Sequence, residues 1–253
     1  MYAVISDIHG NLEALEAVLR DVPDGVEEIY CLGDVIGYGA NPNECCDLVR
    51  AYGMPVISGN HDLAVADPST DLSWFNPVAA AAIEWTRAQL TRDNADFLRA
   101  RPRMLQREEG TLFVHGSVRD PDEYIMNAAT ARENLAILQA DYPGVRVCFF
   151  GHTHVKAVTP SPDGPYPGSH DTLDLTSGGP YLVNPGSVGQ PRDGDTFASY
   201  VLVEDAGGAA RDRAYDGARV AYRFIDYDVE TAQEKIRTAG LPGMLADRLS
   251  YGR

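Results

Sequence analysis

Short apolar runs that end in a polar loop recur along the chain. Runs of this length, rich in β-branched and aromatic residues, predict β-strands. The predicted strands of this kind are YAVIS (2–6), EIYCL (28–32), MPVIS (54–58), TLFVH (111–115), GVRVCFF (144–150) and the start of YLVNPGSVGQPR (181–192). Helical patterns follow several of them, and this alternation indicates an α/β fold with a largely parallel sheet. In such sheets, ligands bind at the carboxyl ends of the strands.

Helix-start signals lie between the apolar runs. Asn11 can cap a helix whose buried face holds Leu12, Leu15, Val18 and Leu19. Residues from about 63 to 110 have a helical pattern, which predicts a helical insertion at about 63–108. Other predicted boundaries are a capped start at Asn41-Pro42-Asn43-Glu44, an end at Gly53, a start at Asn76-Pro77, an end before Arg101-Pro102, a capping box at Thr130–Glu133, a start near Thr231 and an end at Gly240.

The second half of the chain changes character. Residues 159–180 are rich in Pro, Gly, Ser and Asp, which predicts a turn-rich loop or a hairpin tip with His170 exposed. FASYVLV (197–203) and ARVAYRFIDYD (218–228) alternate like antiparallel strands of a second sheet. Neither an internal repeat nor a linker divides the sequence, so residues 1–253 are expected to form a single domain.

Composition places the chain among globular proteins without a membrane segment. Hydrophobic residues make up 44% and charged residues 23%, and no apolar stretch approaches the roughly 20 residues of a membrane span. The start of the sequence shows no signal peptide, which favours a cytoplasmic location. The cysteines form no Cys-x-x-Cys pair and are expected to act as small apolar residues; they are Cys31, Cys45, Cys46 and Cys148.

The net charge of −16 limits the choice of partners. Gripping a nucleic-acid backbone requires clustered Lys and Arg, so a nucleic-acid partner is disfavoured. A phosphate-ester substrate would need a local source of positive charge in so acidic a protein. Bound metal ions are the obvious source.

Five polar groups carry the candidate chemistry. Each follows a predicted strand, and together they contain five of the chain's six histidines. They are Asp7-Ile8-His9, Gly33-Asp34, Gly59-Asn60-His61-Asp62, His115 and Gly151-His152-Thr153-His154. Each group alone is compatible with an ordinary turn, but five in this order at strand ends indicate a shared site.

Convergence of these side chains favours a metal centre. Two neighbouring carboxylates repel each other, and unpaired buried polar groups cost roughly 1–3 kcal/mol each. A divalent cation removes both penalties. Oxygen and imidazole ligands without thiolate suit Mn, Fe, Ni, Co or a catalytic Zn, and a carboxylate such as Asp34 can bridge two ions.

The order Asp-x-His, Gly-Asp, Gly-Asn-His-Asp, His and Gly-His-x-His resembles that of the calcineurin-like metallophosphoesterases, over residues 1 to about 195. The stretches GDVIGYGANPNEC, FNPVAAAAIEWTR, HGSVRDPDEYI and NPGSVGQPRDG are similar to a small prokaryotic phosphodiesterase-like branch. The resemblance implies a four-layer αββα sandwich, in which two mixed β-sheets pack face to face with helices outside.

The resemblance also implies roles for individual residues. Asp7, His9 and His154 would hold one metal ion, Asn60, His115 and His152 would hold the other, and Asp34 would bridge them. Two divalent ions, manganese (Mn) foremost and Fe, Ni, Co or Zn as alternatives, would activate a bridging hydroxide for in-line attack on phosphorus. His61 would be the general acid, and Asp62 would orient it.

One departure from the wider family bears on the substrate. Protein Ser/Thr phosphatases and dinucleoside tetraphosphate hydrolases continue Gly-Asp with Val-Asp-Arg-Gly, whereas Gly33-Asp34 runs into Val35-Ile36-Gly37. The phosphate-gripping arginine of those relatives is missing. Both of those substrates are therefore less expected, and the resemblance to the phosphodiesterase-like branch implies hydrolysis of a small phosphate diester. A small-molecule phosphomonoesterase, a nuclease and a catalytically silent interaction scaffold remain alternatives, and a homo-oligomer stays open.

Three further residues are weaker substrate-binding candidates. Arg192 follows a glycine-rich turn and could grip a phosphate oxygen, or lie on the surface. Asn11 could order the first loop, although helix capping is the simpler role. Tyr38 could line the pocket or pack in the core. The aromatic residues of the helical insertion, either core or a substrate-facing lid, are Trp74, Phe75 and Trp85.

Overall fold

Two five-stranded mixed sheets form the centre of the protein, in a computed structural model that describes residues 1–107, 110–159, 172–175, 180–204 and 218–253. The strands in chain order are β1 Tyr2–Ile5, β2 Ile29–Cys31, β3 Met104–Arg107, β4 Thr111–Val114, β5 Val147–Phe149, β6 Ala157–Thr159, β7 Thr172–Leu175, β8 Tyr181–Asn184, β9 Ala198–Glu204 and β10 Ala218–Ile225. The first sheet has the order β2-β1-β9-β10-β7 and the second has the order β3-β4-β5-β8-β6.

Each sheet has a parallel part that carries the polar loops. Strand β1 pairs parallel with β2, and β5 pairs parallel with both β4 and β8. The remaining ladders are antiparallel. The carboxyl ends of the parallel strands therefore point to one edge of the sandwich, where the loops after them can meet.

The two sheets pack face to face through an aromatic layer. Tyr2, Tyr30, Phe113 and Phe149 belong to strands of both sheets and share one buried cluster with valines from the inner strands. The rings of Tyr30 and Phe113 stack at 4.3 Å across the interface. Full burial of one such side chain contributes about 1.5–3 kcal/mol, so this layer supplies much of the cohesion between the sheets.

Helices cover the outer faces and complete the expected four-layer αββα sandwich. They are α1 Leu12–Asp21, α2 Pro42–Ala51, α3 Asn60–Ala66, α4 Pro77–Gln89, α5 Arg92–Arg99, α6 Ala128–Asp141, α7 Val229–Thr238 and α8 Gly243–Asp247. Helices α1 and α2 bury Leu15, Val18 and Val49 in the cluster outside the first sheet. Helix α6 buries Leu138 in the cluster outside the second sheet.

Two strand predictions were wrong in their pairing or extent. Strands β9 and β10 do pair antiparallel, but they extend the first sheet, because β9 pairs with β1 through Val4 and Val201. Alternation reports which face of a strand is buried and not which strand lies beside it. Of the predicted strand 54–58, only Val56 forms a bridge, to Cys31.

Several element boundaries also differ from the sequence prediction. The predicted helical region 63–110 ends earlier, since residues 104–107 form the edge strand β3 against β4. Helix α6 begins before Thr130, because the Asn127 side chain accepts from the backbone N–H groups of Ala129 and Thr130. Asn41 precedes α2 but makes no side-chain cap; its amide donates to the Glu44 carboxylate instead.

The predicted loop 159–180 is only partly a loop. Residues Thr172–Leu175 form β7 at the edge of the first sheet, paired with β10. Residues 160–171 and 176–179, including His170, lie outside the described residues. Within the described ranges, no helix has the length and apolar character needed to cross a membrane.

Candidate metal centre

The loops that leave the parallel strands converge on one buried crevice. Asp7 and His9 follow β1, Asp34 follows β2, and His115 follows β4. The loop after β5 contributes His152 and His154, and Asn60 begins α3. The histidines and aspartates of this set are all at most 4% exposed.

The backbone around the crevice is unusual. The described non-glycine residues with positive φ are Asp7, His9, Asp34, Tyr38, His152 and His154, with φ between 42° and 64°. Such left-handed conformations cost of order 1–3 kcal/mol each for residues with a side chain, and they persist where the surrounding structure holds them. All six are among the residues predicted to form the site.

One cluster of potential ligands is formed by Asp7, His9 and His154. Asp7 Oδ1 lies 3.3 Å from His154 Nε2 and 3.8 Å from His9 Nε2. The two Nε2 atoms are 3.0 Å apart. Three donor atoms at these separations face one small volume.

Asp34 lies between that cluster and a second one. Its Oδ2 atom is 3.6 Å from His9 Nε2 on one side and 3.4 Å from His115 Nε2 on the other. Asp34, His115 and His152 form the second cluster of potential ligands. Asn60 adjoins it, with Oδ1 at 3.1 Å from His115 Nε2.

Backbone carbonyls orient three of the imidazole rings. The Nδ1 atoms of His115, His154 and His9 lie 2.8, 2.6 and 3.3 Å from the carbonyl oxygens of Leu32, Gln190 and Ile36 respectively. A ring that donates through Nδ1 keeps the Nε2 lone pair for the crevice. The tautomer suited to metal binding is therefore selected by the fold.

Electrostatics leave most of these imidazoles neutral. Burial lowers the pKa of His61 to about 4 and that of His152 to about 3. Burial also holds the pKa values of His9 and His154 well below the usual value. Neutral rings repel a cation less than protonated ones and offer it lone pairs.

The carboxylates respond to the same burial in opposite ways. Burial raises the pKa of Asp7 to about 7. Burial also opposes the ionisation of Asp34, but the surrounding histidines, His115 first, hold its pKa well below the usual range. In return, Asp34 overcomes the effect of burial on His115 and raises the pKa of that ring to about 10. These opposite pKa shifts favour an ion pair between Asp34 and a protonated His115, in which a bound cation can take the place of the imidazole proton.

These residues fit divalent metal ions. Asp7 Oδ1 is buried and has no hydrogen-bond partner among the described residues, although it faces two imidazole nitrogens. An orphaned carboxylate oxygen in such a place costs free energy unless a cation coordinates it. The donor atoms are carboxylate, amide and imidazole atoms. They suit Mn, Fe, Ni, Co or a catalytic Zn better than a structural zinc ion.

His61 lies beside the clusters and also takes part in one, with His9 and Asp34. Its backbone N–H donates to Asp34 Oδ1 at 2.9 Å, and its Nδ1 atom is buried with no hydrogen-bond partner in the described structure. Asp62, predicted to orient His61, accepts instead from the backbone N–H groups of Gly59 and Ile36, at 3.1 and 3.2 Å. Asp62 thus fixes the loop after β2 against the start of α3.

The three weaker candidates occupy different positions. Asn11 caps α1 and donates to the Gly189 carbonyl at 2.9 Å, so its observed contacts are structural. The Tyr38 ring lies 4.6 Å from the His9 ring and 4.5 Å from the His61 ring. The Arg192 guanidinium lies 5.8 Å from the centre of the Tyr38 ring, and its Nε atom has no partner among the described residues.

Sequence reasoning missed the loop after His115 as part of the site. The Asp122 carbonyl lies 3.2 Å from His152 Nε2, and the Tyr124 ring lies 3.9 Å from the His152 ring. Both residues occur in HGSVRDPDEYI, directly after a strand-end histidine, and that position was the available signal.

A cavity of about 440 Å³ opens beside the crevice. Its lining includes His61, Asn60 and His152 of the crevice, together with Phe75 and Trp74. Phe75 presents its ring to His61 edge-on at 5.5 Å. Trp85, in contrast, lies on α4 and donates from its indole N–H to the Ala239 carbonyl. The aromatic residues of the insertion therefore divide between the cavity and the core.

Comparison with known proteins gives a consistent result. A family model described as the calcineurin-like phosphoesterase superfamily domain matches residues 1–207. An uncharacterized protein of Methanocaldococcus jannaschii is 37% identical over 259 residues, covering 100% of this chain and 98% of that protein.

A crystal structure of a metallophosphoesterase from Sphaerobacter thermophilus has a TM-score of 0.81 and 39% sequence identity, covering 100% of this chain and 98% of its own. A symmetrical bis(5'-nucleosyl)-tetraphosphatase of Glaesserella parasuis is 27% identical over 144 residues, which span 54% of this chain and 52% of that protein.

Proposed function

The chain belongs to the calcineurin-like phosphoesterase superfamily, and on that premise we propose that it is a metal-dependent phosphodiesterase acting on small phosphate diesters. One observation carries the proposal: Asp34 Oδ2 lies within 3.6 Å of His9 Nε2 and within 3.4 Å of His115 Nε2. A carboxylate shared between two ligand clusters suits a pair of divalent ions.

The residues that would hold the two ions follow from these clusters. Asp7, His9 and His154 face one volume, and His115, His152 and Asn60 face the other. Manganese is our first choice and Fe, Ni, Co and Zn are alternatives, because the donors are oxygen and imidazole nitrogen. When bound, such ions activate water and neutralise negative charge on a phosphate.

His61 is the proposed proton donor to the leaving oxygen. It borders both the clusters and the open cavity, so its ring would face the leaving oxygen of an ester bound at the clusters. The free ring is neutral at pH 7, because burial lowers its pKa to about 4. A bound phosphate anion beside the ring raises its proton affinity and so favours the protonated form.

Arg192 and Tyr38 are proposed to hold the non-bridging phosphate oxygens. Arg192 is a half-buried cation at the mouth of a crevice in an otherwise acidic protein. Its guanidinium overlies Tyr38, which in turn contacts the rings of His9 and His61. Arginine is well suited to this task because its planar fork of N–H groups matches phosphate geometry.

A diester is favoured over a monoester by the space beside His61. A diester needs room for a substituent on both sides of phosphorus, and the 440 Å³ cavity supplies it on the side of the proton donor. The scaffold alternative is disfavoured, because the histidines and aspartates expected to bind metal lie together in three clusters of potential ligands. We also propose a cytoplasmic location, consistent with four buried cysteines that form no disulfide.

The first experiment compares bis-p-nitrophenyl phosphate with p-nitrophenyl phosphate, using protein reconstituted with Mn, Fe, Ni, Co, Zn or no metal. Metal-dependent cleavage that prefers the diester supports the proposal. Preference for the monoester would make the protein a phosphatase. Two bound metal ions without hydrolysis of either ester would favour the scaffold alternative.

The role of His61 has its own test. We expect His61→Ala to retain metal binding but to slow alkyl diesters, whose leaving groups need a proton, far more than aryl diesters. General acid catalysis contributes typically about 10²–10⁴-fold, which sets the scale for the alkyl substrates. Equal slowing of both classes would contradict the assignment.

A further inference from the structure

The cavity beside His61 is lined by aromatic side chains from two segments of the chain. Phe75 and Trp74 approach from the segment before α4, and Tyr124 approaches from the loop before α6. Because His61 hands its proton to the leaving oxygen in the proposed reaction, whatever is attached to that oxygen must extend into this cavity. Its walls therefore select the leaving group.

Trp74 is held at the rim although its ring is open to solvent. It is 89% exposed, the highest value among the exposed large hydrophobic residues of the described chain. It ends a short 3₁₀ turn in which the Asp71 carboxylate accepts from both the backbone N–H and the hydroxyl of Ser73, at 2.9 and 2.7 Å. A large indole kept exposed at a cavity mouth is a ready surface for stacking.

The other aromatic segment of the lining is also held by specific contacts. Tyr124 is half-exposed, and its ring packs on His152 at 3.9 Å. The adjoining Glu123 accepts from Arg119 and from Asn134 of α6, both at 3.1 Å. A flat group entering the cavity thus meets aromatic rings from two separate segments of the chain.

The charges of the cavity indicate a neutral occupant. Arg103 is offset by Asp71 and Asp122 in the same lining, so no net positive charge attracts a second phosphate. Thr70 and Asn76 add hydrogen-bonding groups among the rings. Ring faces together with polar groups suit a heteroaromatic system better than an alkyl chain, and the volume of about 440 Å³ lies within the usual range of small-molecule sites.

We infer that this cavity is the subsite for a neutral leaving group with a planar heteroaromatic ring, such as a nucleoside, and that Trp74, Phe75 and Tyr124 determine this specificity. The inference rests on the proposed function, since the position of His61 defines the leaving side. In the reaction, water adds to phosphorus and loses a proton, the bond from phosphorus to the nucleoside 5′ oxygen breaks, and that oxygen leaves as a hydroxyl with a proton from His61. The proton lost by the water balances the one that His61 gives up.

The test uses two diesters with the same leaving oxygen. Adenosine 5′-methylphosphate carries a base, and the 5-methylphosphate of 1-O-methylribose replaces the base with a methoxy group. We expect kcat/KM to be about 10-fold higher for the adenosine ester, the scale of one base-aromatic stack. The products should be adenosine and methyl phosphate. Release of methanol and adenosine 5′-phosphate would place the nucleoside on the other side and overturn the inference.

Variants show which residue causes the preference for the adenosine ester. Trp74→Ala should reduce the ratio of kcat/KM between the two esters about 10-fold, whereas Trp74→Phe should keep most of it. The matched control is Tyr52→Ala, which removes a 55% exposed aromatic residue that does not line the cavity and should leave the ratio unchanged. An unchanged ratio in Trp74→Ala would refute the role of Trp74.

A binding measurement separates this inference from the proposed function. The chain has two tryptophans, so Trp85→Phe leaves Trp74 as the only indole. Adenosine should quench its fluorescence and 1-O-methylribose should not, whether or not the protein hydrolyses esters. Quenching without hydrolysis would retain the subsite and reject the phosphodiesterase. Hydrolysis of both esters at equal rates without quenching would retain the phosphodiesterase and reject the subsite.

Discussion

The floor of the metal crevice and the wall of the neighbouring cavity are built by different means. The floor uses residues that follow β-strands, such as Asp7 and Asp34, which are at most 1% exposed and have left-handed backbone. The wall uses loop residues such as Trp74 and Tyr124, which are 89% and 49% exposed. Among the described non-glycine residues, positive φ occurs only in the floor and at Tyr38 at its edge.

This difference assigns metal binding to the floor and substrate selectivity to the wall. A strained backbone persists only where its surroundings hold it on all sides, so the floor keeps donor atoms in place before any ion arrives. Loop residues on a rigid scaffold tolerate change more readily. Substitutions in the floor should therefore affect metal binding and folding together, whereas those in the wall should affect substrate choice or local stability.

The strongest test of the floor is Asp34→Asn. Asp34 is shared by two ligand clusters, so we expect the metal content per chain to fall. Loss of a residue that only hydrogen-bonds to a metal ligand costs ~10–100-fold in metal affinity or activity, and we expect the loss of hydrolysis here to be larger. Elemental analysis and diester hydrolysis measure both. Asp247→Asn is the control, because its carboxylate is 65% exposed and pairs with Arg237. Full metal content in Asp34→Asn would contradict the shared role.

A second test concerns the packing that holds the floor. A Cβ atom at Gly59 would lie 2.1 Å from Asp34 Oδ1 and 2.4 Å from the Asp34 backbone nitrogen. Backbone atoms yield little, so Gly59→Ala should lower the free energy of unfolding by about 3 kcal/mol and weaken metal uptake. In Gly243→Ala, where the new methyl group meets nothing within 4 Å, unfolding should be nearly unaffected. Denaturant titration of both variants without metal measures the free energies of unfolding. Equal values for Gly59→Ala and Gly243→Ala would show that the floor can relax around the new methyl group.

The smallest expected effect is in the wall, at Glu123. Hydrogen bonds from Arg119 lower the pKa of Glu123 from 4.5 to about 2. The folded-state pKa is depressed, so the stabilisation is fully present above the unfolded value and is lost as pH falls through about 2. Glu123→Gln should cost about 1 kcal/mol at neutral pH and less at low pH.

The matched control for Glu123 is Glu133→Gln, which removes a 58% exposed partner of the same Arg119. We expect a smaller change in the free energy of unfolding there, because solvent screens that pair. Urea titrations between pH 2 and pH 7 measure both variants. A loss in Glu123→Gln that does not shrink toward low pH would argue against the ion pair as the source of stabilisation.

Local elements of the fold were predictable where the signal was local. Strands β1 and β4 and the start of α4 were predicted from apolar runs and from Asn76-Pro77, and the structure has each of them. The resemblance to the metallophosphoesterases correctly implied the two packed sheets. Strand β3 was missed, because MLQR is short, half-exposed and surrounded by helical signals.

The candidate site shows the same division. Strand-end position identified Asp7, Asp34 and His115, since the ends of parallel strands meet at one edge of a sheet. Their adjacency in the structure agrees with that reasoning, while their role as metal ligands stays a prediction. Arg192 could not be separated from a surface arginine by sequence, because its place over Tyr38 depends on how the loop between β8 and β9 folds.

The sequence by itself determined the local elements, the family motifs and the donor atoms available for metal ions. Only the tertiary structure decided that β9 pairs with β1, that Asp34 lies between two histidine clusters, and that Tyr124 and Trp74 line one cavity. The physical reason is how far apart in the sequence the interacting residues lie. Periodicity and capping act over a few residues of chain, whereas pairing, burial and pKa depend on atoms that are distant in sequence and close in space.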